Sequence, residues 1–423
     1  MSTSPTYQHV VACGLPYDRG YAHGSQAAAK VQRNVEYYRQ AGRLAESGMV
    51  QKLIREIYIP NITAHYPSGW EEMKGIADGA SVSVEDVVLL NARYDLSRLN
   101  GLSVSEPQSQ AQESDEDAHE CTTAFFLAPT TDGGDVLNAV NWDMNARLWH
   151  DDVVIYLEIH PHSSESKPSL FLAAEAGQLG RSGMNSLGIG VTSNSLMSTE
   201  DYIPDADATR PVMPISLLRR MILECSHLSE AMTATQQFPR HVSNGLTLAT
   251  AEGFGLCLEL TPSRVYKVYS PVDDAYLVHT NHFTDPSFLA GEAVYDRYPG
   301  GSSWFRRQRL EQGIRPYVRG RVTAPQLVQA FSDHLSFPES LCCHPDQHPP
   351  DSVIRTLPGY PYRSNAATVA CLIYNLSQRT IWACKGPPCH GTFETFTLKG
   401  PRSLTRPTGD AVEPGEELRP EIP

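Results

Sequence analysis

Residues 104–120 (Val-Ser-Glu-Pro-Gln-Ser-Gln-Ala-Gln-Glu-Ser-Asp-Glu-Asp-Ala-His-Glu) divide the 423-residue chain into two parts of different character. The stretch is acidic and poor in β-branched and aromatic residues. It cannot bury enough apolar surface to offset the entropy lost on ordering, so it reads as an exposed, flexible linker. Helical patterning precedes it and strand patterning follows it. Cys121 is the first residue beyond it.

Ahead of the linker, residues 17–57 read as helical, with breaks at Gly42 and Gly48. Two shorter helices follow at Trp70–Asp78 and Ser83–Leu96. Ser83, with Glu85 and Asp86 behind it, has the composition of a helix N-terminus. Behind the linker, Thr123–Leu127, Asp135–Asn141, Asp152–Ile159, Ser169–Ala174 and Gly188–Asn194 read as strands. Val212–Ser226 is an amphipathic helix, and strands follow at Gly245–Ala249, Gly255–Leu260, Val265–Ser270 and Ala275–Thr280. Trp304–Gln312 and Ala324–His334 read as helices. Ala367–Asn375, Thr380–Lys385 and Thr392–Leu398 are the last strands. The expected organisation is a mostly helical segment over 1–103, the linker over 104–120, a β-rich body over 121–400 and a disordered tail over 401–423. A β-rich body with segregated helices places the fold in the α+β class of stacked layers.

A net charge of −14 and a pI near 5.5 argue against nucleic acid as a partner, since phosphates require a basic face. No apolar run approaches the roughly 20 residues that span a bilayer. The first residues lack the basic and apolar regions of a secretion signal, so a cytosolic address is expected. The nine cysteines are odd in number and have no framework spacing, which reads as reduced thiols.

Scission before Cys121 would create an N-terminal cysteine, with thiol and α-amine on one residue. Nucleophile and base would then need no second residue to bring them together. An α-amine with a pKa of roughly 7.7–8 is partly neutral near pH 7 and can take a thiol proton.

Several motifs in order carry a resemblance. Cys121-Thr122-Thr123-Ala124-Phe125, Asn141-Trp142-Asp143 and His279-Thr280-Asn281-His282-Phe283 resemble the acyl-coenzyme A:isopenicillin N acyltransferase family, self-cleaving N-terminal-nucleophile enzymes grouped with the C45-type peptidases. Gly20-Tyr21-Ala22-His23-Gly24-Ser25 and Leu89-Leu90-Asn91-Ala92-Arg93 fit it ahead of the nucleophile. Glu175-Ala176-Gly177, Gly183-Met184-Asn185-Ser186, Arg307-Gln308-Arg309 and Arg363-Ser364-Asn365-Ala366-Ala367-Thr368 fit it behind.

The resemblance implies an N-terminal-nucleophile hydrolase fold, a four-layer αββα sandwich. It implies self-cleavage between Glu120 and Cys121 into chains 1–120 and 121–423, and an acyl group carried as a Cys121 thioester. Asn281 would be the oxyanion donor, with a turn Asn as the alternative. Asp143 would orient the α-amine, with a loop carboxylate as the alternative. Ser364 would lie in the substrate site beside Arg363 and Asn365. No cofactor is implied beyond acyl-coenzyme A as a possible co-substrate, and the acceptor would be an amine of a peptide- or amino-acid-derived metabolite. Water as acceptor, or an uncleaved and inactive binding protein on the same scaffold, are the alternatives.

Two positions depart from the family. Glu120 stands where glycine is common, and Asn365 stands where the family has an arginine, the nearest cation being Arg363. The C-terminus, Glu421-Ile422-Pro423, lacks the peroxisomal tripeptide of members from penicillin producers. Cys342-Cys343-His344-Pro345-Asp346-Gln347-His348 fits zinc spacing poorly, and Cys384, Cys389 and His390 are no better arranged, so no metal is expected. Gly188-Ile189-Gly190 lacks the third glycine of a dinucleotide fingerprint.

Overall fold

Apolar residues alternate along the strands on both faces, and this decides the layering. The computed structural model describes residues 4–99, 102, 121–205, 210–271, 273–298, 301–345 and 365–399. The linker expected over 104–120 and the tail expected over 401–423 lie outside the described residues.

In chain order, strand β1 (Gln8–Gly14) precedes helices α1 (Pro16–Gln26), α2 (Ala28–Tyr38) and α3 (Ser47–Lys52). A π-helical turn, Leu53–Tyr58, leads into α4 (Ile59–His65), α5 (Pro67–Ala80) and α6 (Val84–Arg98). Next come β2 (Cys121–Phe126), β3 (Leu137–Asn145), α7 (Arg147–His150), β4 (Val154–Pro161), β5 (Leu170–Glu175), β6 (Ser182–Asn185) and β7 (Ile189–Ser195). Helices α8 (Ile215–Leu223) and α9 (Leu228–Gln237) are followed by β8 (Asn244–Thr250), β9 (Phe254–Leu260), β10 (Val265–Val268) and β11 (Tyr276–His279). The described chain closes with α10 (Pro286–Leu289), α11 (Ser302–Ile314), α12 (Ala324–Phe331), β12 (Ala366–Asn375), β13 (Thr380–Lys385) and β14 (Phe393–Thr397).

The strands make two sheets, one of eight in the order β1-β4-β5-β6-β7-β8-β9-β10 and one of six in the order β11-β2-β3-β12-β13-β14. Ile155, Leu157 and Ile159 of β4 face a core shared with α2, α5, α6 and α8. Tyr156, one register over, faces the other way, into a second core with Phe125, Val140 and Trp142 of the six-stranded sheet. On the far side of that sheet, Ala124, Phe126, Leu137 and Ala139 pack on Leu310 and Ile314 of α11 and Leu327 and Phe331 of α12. The order is therefore helix, sheet, sheet, helix, the α+β layering that the resemblance implied.

The amino-terminal segment is part of this body. β1 runs parallel to β4 as the edge of the larger sheet, and its Val10 and Ala12 enter the first core. Glycines let α1 cross α5 at backbone contact. A Cβ on Gly20 would lie 2.0 Å from the Glu72 carbonyl oxygen, and one on Gly75 would lie 2.1 Å from the Tyr17 carbonyl oxygen. The Gly20–Gly24 motif is thus a packing motif.

Several sequence expectations hold. Ser83 caps α6, its Oγ accepting from the Asp86 N–H while the Asp86 carboxylate accepts from the Ser83 N–H. The chain does turn at Gly42, with φ of 82°. Others need correction. Gly48 lies in the first turn of α3, where the Glu46 carboxylate caps it. β1, α4, β6 and α9 were not anticipated. β6 has four residues (Ser-Gly-Met-Asn), too short for an alternation to stand out, and pairing with β5 and β7 defines it.

Candidate active site

Cys121 opens β2 and is buried, pairing across the sheet with Trp142 of β3. Strand alternation turns its side chain to the space between the sheets, as it does for Phe125. Its backbone nitrogen donates to Asn281 Oδ1 at 3.0 Å. Its carbonyl oxygen accepts from Asn194 Nδ2 at 2.8 Å and from Arg306 Nη1 at 3.0 Å. The Cys121 backbone is therefore held from three separate elements: β7, α11 and the loop after β11.

That loop is itself pinned. The Asn281 N–H donates to Ser303 Oγ at 2.8 Å, and His282 stacks on Trp304 with ring centroids 3.7 Å apart. His279 Nε2 lies 2.8 Å from Glu259 Oε1 with both groups fully buried, and Glu259 also accepts from the Thr284 and Asp285 N–H groups. Asn281 turns its oxygen toward the Cys121 nitrogen and Arg306, while its Nδ2 donates to the Ser195 carbonyl at 3.0 Å. Its side-chain oxygen thus faces the Cys121 nitrogen, and its side-chain nitrogen faces a backbone carbonyl.

Asp143 is fully buried, and Thr368 Oγ1 donates to its Oδ1 at 2.5 Å. A bulge in β12 between Thr368 and Ala370 sets this pair opposite each other. The Cys121 thiol lies above its ordinary pKa. Burial is the main cause, and the Asp143 carboxylate adds to it. Arg181, a hydrogen bond from the Asp143 backbone N–H and Arg306 pull it back down. At neutral pH the thiol is protonated and needs a base to become a nucleophile.

A small cavity adjoins Cys121, lined in part by Arg93, Arg181, Arg219, Tyr94 and Ser195, with 10 Å³ open to water, room for about one molecule. Three guanidinium groups meet there. Arg93 pairs with the buried Glu175. Among the described residues, Arg181 and Arg219 have no carboxylate partner. Arg181 is 7% exposed and stacks on Trp142 with its guanidinium carbon 3.9 Å from the ring centroid. Arg219 donates to Ser193 Oγ at 2.8 Å, and its buried Nε has no partner. Burial and the neighbouring charge of Arg93 push Arg181 down to about 9 and Arg219 to about 10, so both stay charged at neutral pH.

The structure thus brings together Cys121 and Asn281, with Asp143 behind them. Glu120, Arg363 and Ser364 lie outside the described residues. Asn365 is exposed, and its carbonyl accepts from the Ala146 N–H. Sequence reasoning missed Asn194, Arg181, Arg219 and Arg306. Only Arg306 had a signal. It shares the inward, four-residue spacing of Ser302, Leu310 and Ile314 along α11, where an arginine is out of place unless it serves something buried.

A sequence model of the acyl-coenzyme A:6-aminopenicillanic acid acyl-transferase family matches residues 130–389. The chain belongs to this family. Membership makes it an enzyme of acyl transfer or amide hydrolysis. The 40 kDa form of acyl-coenzyme A:6-aminopenicillanic-acid-acyltransferase from Emericella nidulans is 27% identical over 346 residues, covering 79% of this chain and 84% of that protein. An uncharacterized protein of Archaeoglobus fulgidus is 26% identical over 202 residues, covering 45% of this chain and 33% of that one. Among solved structures, penicillin V acylase from Agrobacterium tumefaciens aligns with a TM-score of 0.33 at 13% identity, over 66% of this chain and 78% of that chain. A mutant of conjugated bile acid hydrolase from Clostridium perfringens aligns at 0.35 and 9% identity, over 67% and 91%. No helix among the described residues is long and apolar enough to cross a membrane.

Proposed function

We propose that the chain is a self-processing, cytosolic cysteine N-acyltransferase of secondary metabolism that moves an acyl group, supplied by an acyl-coenzyme A, through a Cys121 thioester to a metabolite amine. The observation that carries this reading is the Cys121 nitrogen set 3.0 Å from Asn281 Oδ1, beside a cavity with two uncompensated guanidinium groups.

In this reading the Cys121 sulfur first attacks the Glu120 carbonyl, and the peptide nitrogen leaves as the α-amine of Cys121. Water then hydrolyses the resulting thioester, returning the Cys121 thiol and releasing residues 1–120 as a carboxylic acid. In turnover the α-amine takes the thiol proton while sulfur attacks the acyl carbonyl. The leaving group departs with that proton, and a second nucleophile regenerates the thiol. Asn281 orients the α-amine through its oxygen, and Arg306 holds Asn281 and the Cys121 carbonyl in place. Asp143 acts by position, since a carboxylate paired directly with the amine would raise its pKa and weaken it as a base. Arg181 and Arg219 suit a substrate that carries a carboxylate or another anionic group, which they would hold by charge-assisted hydrogen bonds.

Water as the second nucleophile makes the same enzyme an amide hydrolase, and the room for about one water beside Cys121 favours that second reading. Intact-mass analysis of freshly expressed protein tests the processing step. A fragment starting at Cys121 is expected, and a stable full-length chain with turnover intact in Cys121→Ala overturns it. Incubation with acyl-coenzyme A and a panel of amino acids, followed by mass detection of amide or free acid, separates the two acceptors.

A further inference from the structure

We propose that His334, Cys342, His344 and Cys389 bind a structural zinc ion. The four ligand atoms converge from three places in the chain: the segment after α12, the loop at 342–344 and the turn after β13. All of them lie within 4.8 Å of one another. His344 Nε2 is 3.5 Å from Cys342 Sγ, 3.5 Å from Cys389 Sγ and 3.2 Å from His334 Nε2. Zinc bonds of about 2.3 Å to sulfur and 2.0–2.1 Å to nitrogen, at tetrahedral angles, put the ligand atoms roughly 3.3–3.8 Å apart. The three distances match those edges.

The donor set points the same way. Two thiolates and two imidazoles are the soft and borderline ligands that zinc prefers, and two thiolates balance the charge of a divalent ion. Binding displaces one proton from each cysteine and leaves the imidazoles neutral. Four protein ligands leave no open position, so the ion holds structure and does not activate water. Sequence spacing hid the site. It spreads the ligands over 56 positions from 334 to 389, and the pair Cys342–His344 is too close to resemble a finger motif.

The loop that the ion would clamp supports the active-site strands. Cys343, between two ligands, donates its N–H to Thr368 Oγ1 at 3.0 Å and accepts the Thr368 N–H at 3.0 Å. The same Thr368 hydroxyl donates to Asp143. The Cys342 N–H donates to the Asp333 carbonyl and the His344 N–H to the Pro338 carbonyl, which fixes the loop before any ion arrives. His390 Nδ1, 3.0 Å from Cys389 Sγ, is an outer partner of the thiolate.

Elemental analysis of the purified full chain tests the site. About one zinc per chain is expected in the wild type and in Cys13→Ser, an exposed cysteine away from the cluster. Cys389→Ser and His334→Ala are expected to weaken zinc binding by at least the roughly 10-fold that follows loss of an outer-shell partner. Cobalt(II) added to chelator-stripped wild type is expected to give the visible bands of a tetrahedral site with a thiolate charge-transfer band. This readout does not depend on a variant folding. Absence of zinc together with absence of the cobalt bands overturns the proposal. So does a Cys342–Cys389 disulfide, two hydrogens lighter, in freshly purified protein.

Discussion

The backbone nitrogen of Cys121 and the side-chain oxygen of Asn281 are 160 residues apart in sequence and 3.0 Å apart in space. Arg306 donates to that same oxygen at 2.8 Å, so one Asn couples the would-be amine to a buried cation. Asn281→Ala frees the Cys121 nitrogen to shift and is expected to lower turnover by roughly 10²-fold, the usual cost of misplacing a reacting group by about 1 Å. Cys121→Ala is expected to abolish both self-cleavage and turnover while leaving the melting curve cooperative. Steady-state rates and intact mass check both outcomes, and a fully active Asn281→Ala would remove the residue from the mechanism.

The cavity arginines predict opposite effects on stability and on binding. A buried guanidinium without a carboxylate partner is unfavourable in the free protein. Arg181→Met, which keeps the contact with Trp142, is therefore expected to raise stability by about 1 kcal/mol. It is expected to raise KM for an anionic substrate about tenfold, with little change in kcat. Thermal unfolding and the KM–kcat split are the measurements. A loss of stability with unchanged KM would make Arg181 a packing residue.

The crossing of α1 and α5 predicts another sensitivity. Glu72 of α5 binds Arg19 of α1 at 2.5 Å and Arg220 of α8 at 2.8 Å, all fully buried. Glu72→Gln removes the carboxylate shared by the two guanidinium groups but leaves Arg19 paired with Glu165 and Arg220 with Glu224, so it is expected to cost about 1–3 kcal/mol. Gly20→Ala drives a methyl into the Glu72 carbonyl and should also destabilise by several kcal/mol, on the order of core overpacking or more. Chemical denaturation of the two variants checks this, and a neutral Gly20→Ala would mean that the helices can separate at little cost.

Acid sensitivity should trace to His23. Burial pushes its imidazole from 6.5 down to about 4, with Glu72 raising it and Arg220 lowering it. Its Nε2 accepts the Gly177 N–H at 3.1 Å, which requires that nitrogen to be unprotonated. The unfolded chain therefore takes a proton more readily than the folded one. The contribution is fully present above pH 6.5 and is lost as pH falls toward 4, about 3 kcal/mol across that window. Asp95 and Asp201, raised by burial to about 8 and about 6, act in the opposite direction. The difference between wild type and His23→Gln isolates the histidine. Parallel stability–pH curves for the two proteins would contradict the assignment.

Patterns local to a few residues were legible in the sequence. Period-two alternation and β-branched content located most strands of the body, and the Ser83 capping box marked the start of α6. Cys121 stood out through the Cys-Thr-Thr-Ala-Phe run that follows the acidic segment and resembles the family motif. The edge strand β1 and the short β6 were not legible, because their stability comes from neighbours distant in the chain rather than from their own pattern.

What the sequence by itself determined was the candidate reacting group and the α+β class: a cysteine at the head of a strand, with β-rich and helical segments around it. Only the tertiary structure decided the company that cysteine keeps. Asn194 and Arg306 reach it from β7 and α11, Arg181 and Arg219 line the cavity beside it, and His334, Cys342, His344 and Cys389 meet from three places in the chain. The physical reason is that periodicity reports which face of an element is buried, whereas contacts between elements depend on how the sheets and helices pack. A charged residue on an inward face has no meaning until its neighbours are in place.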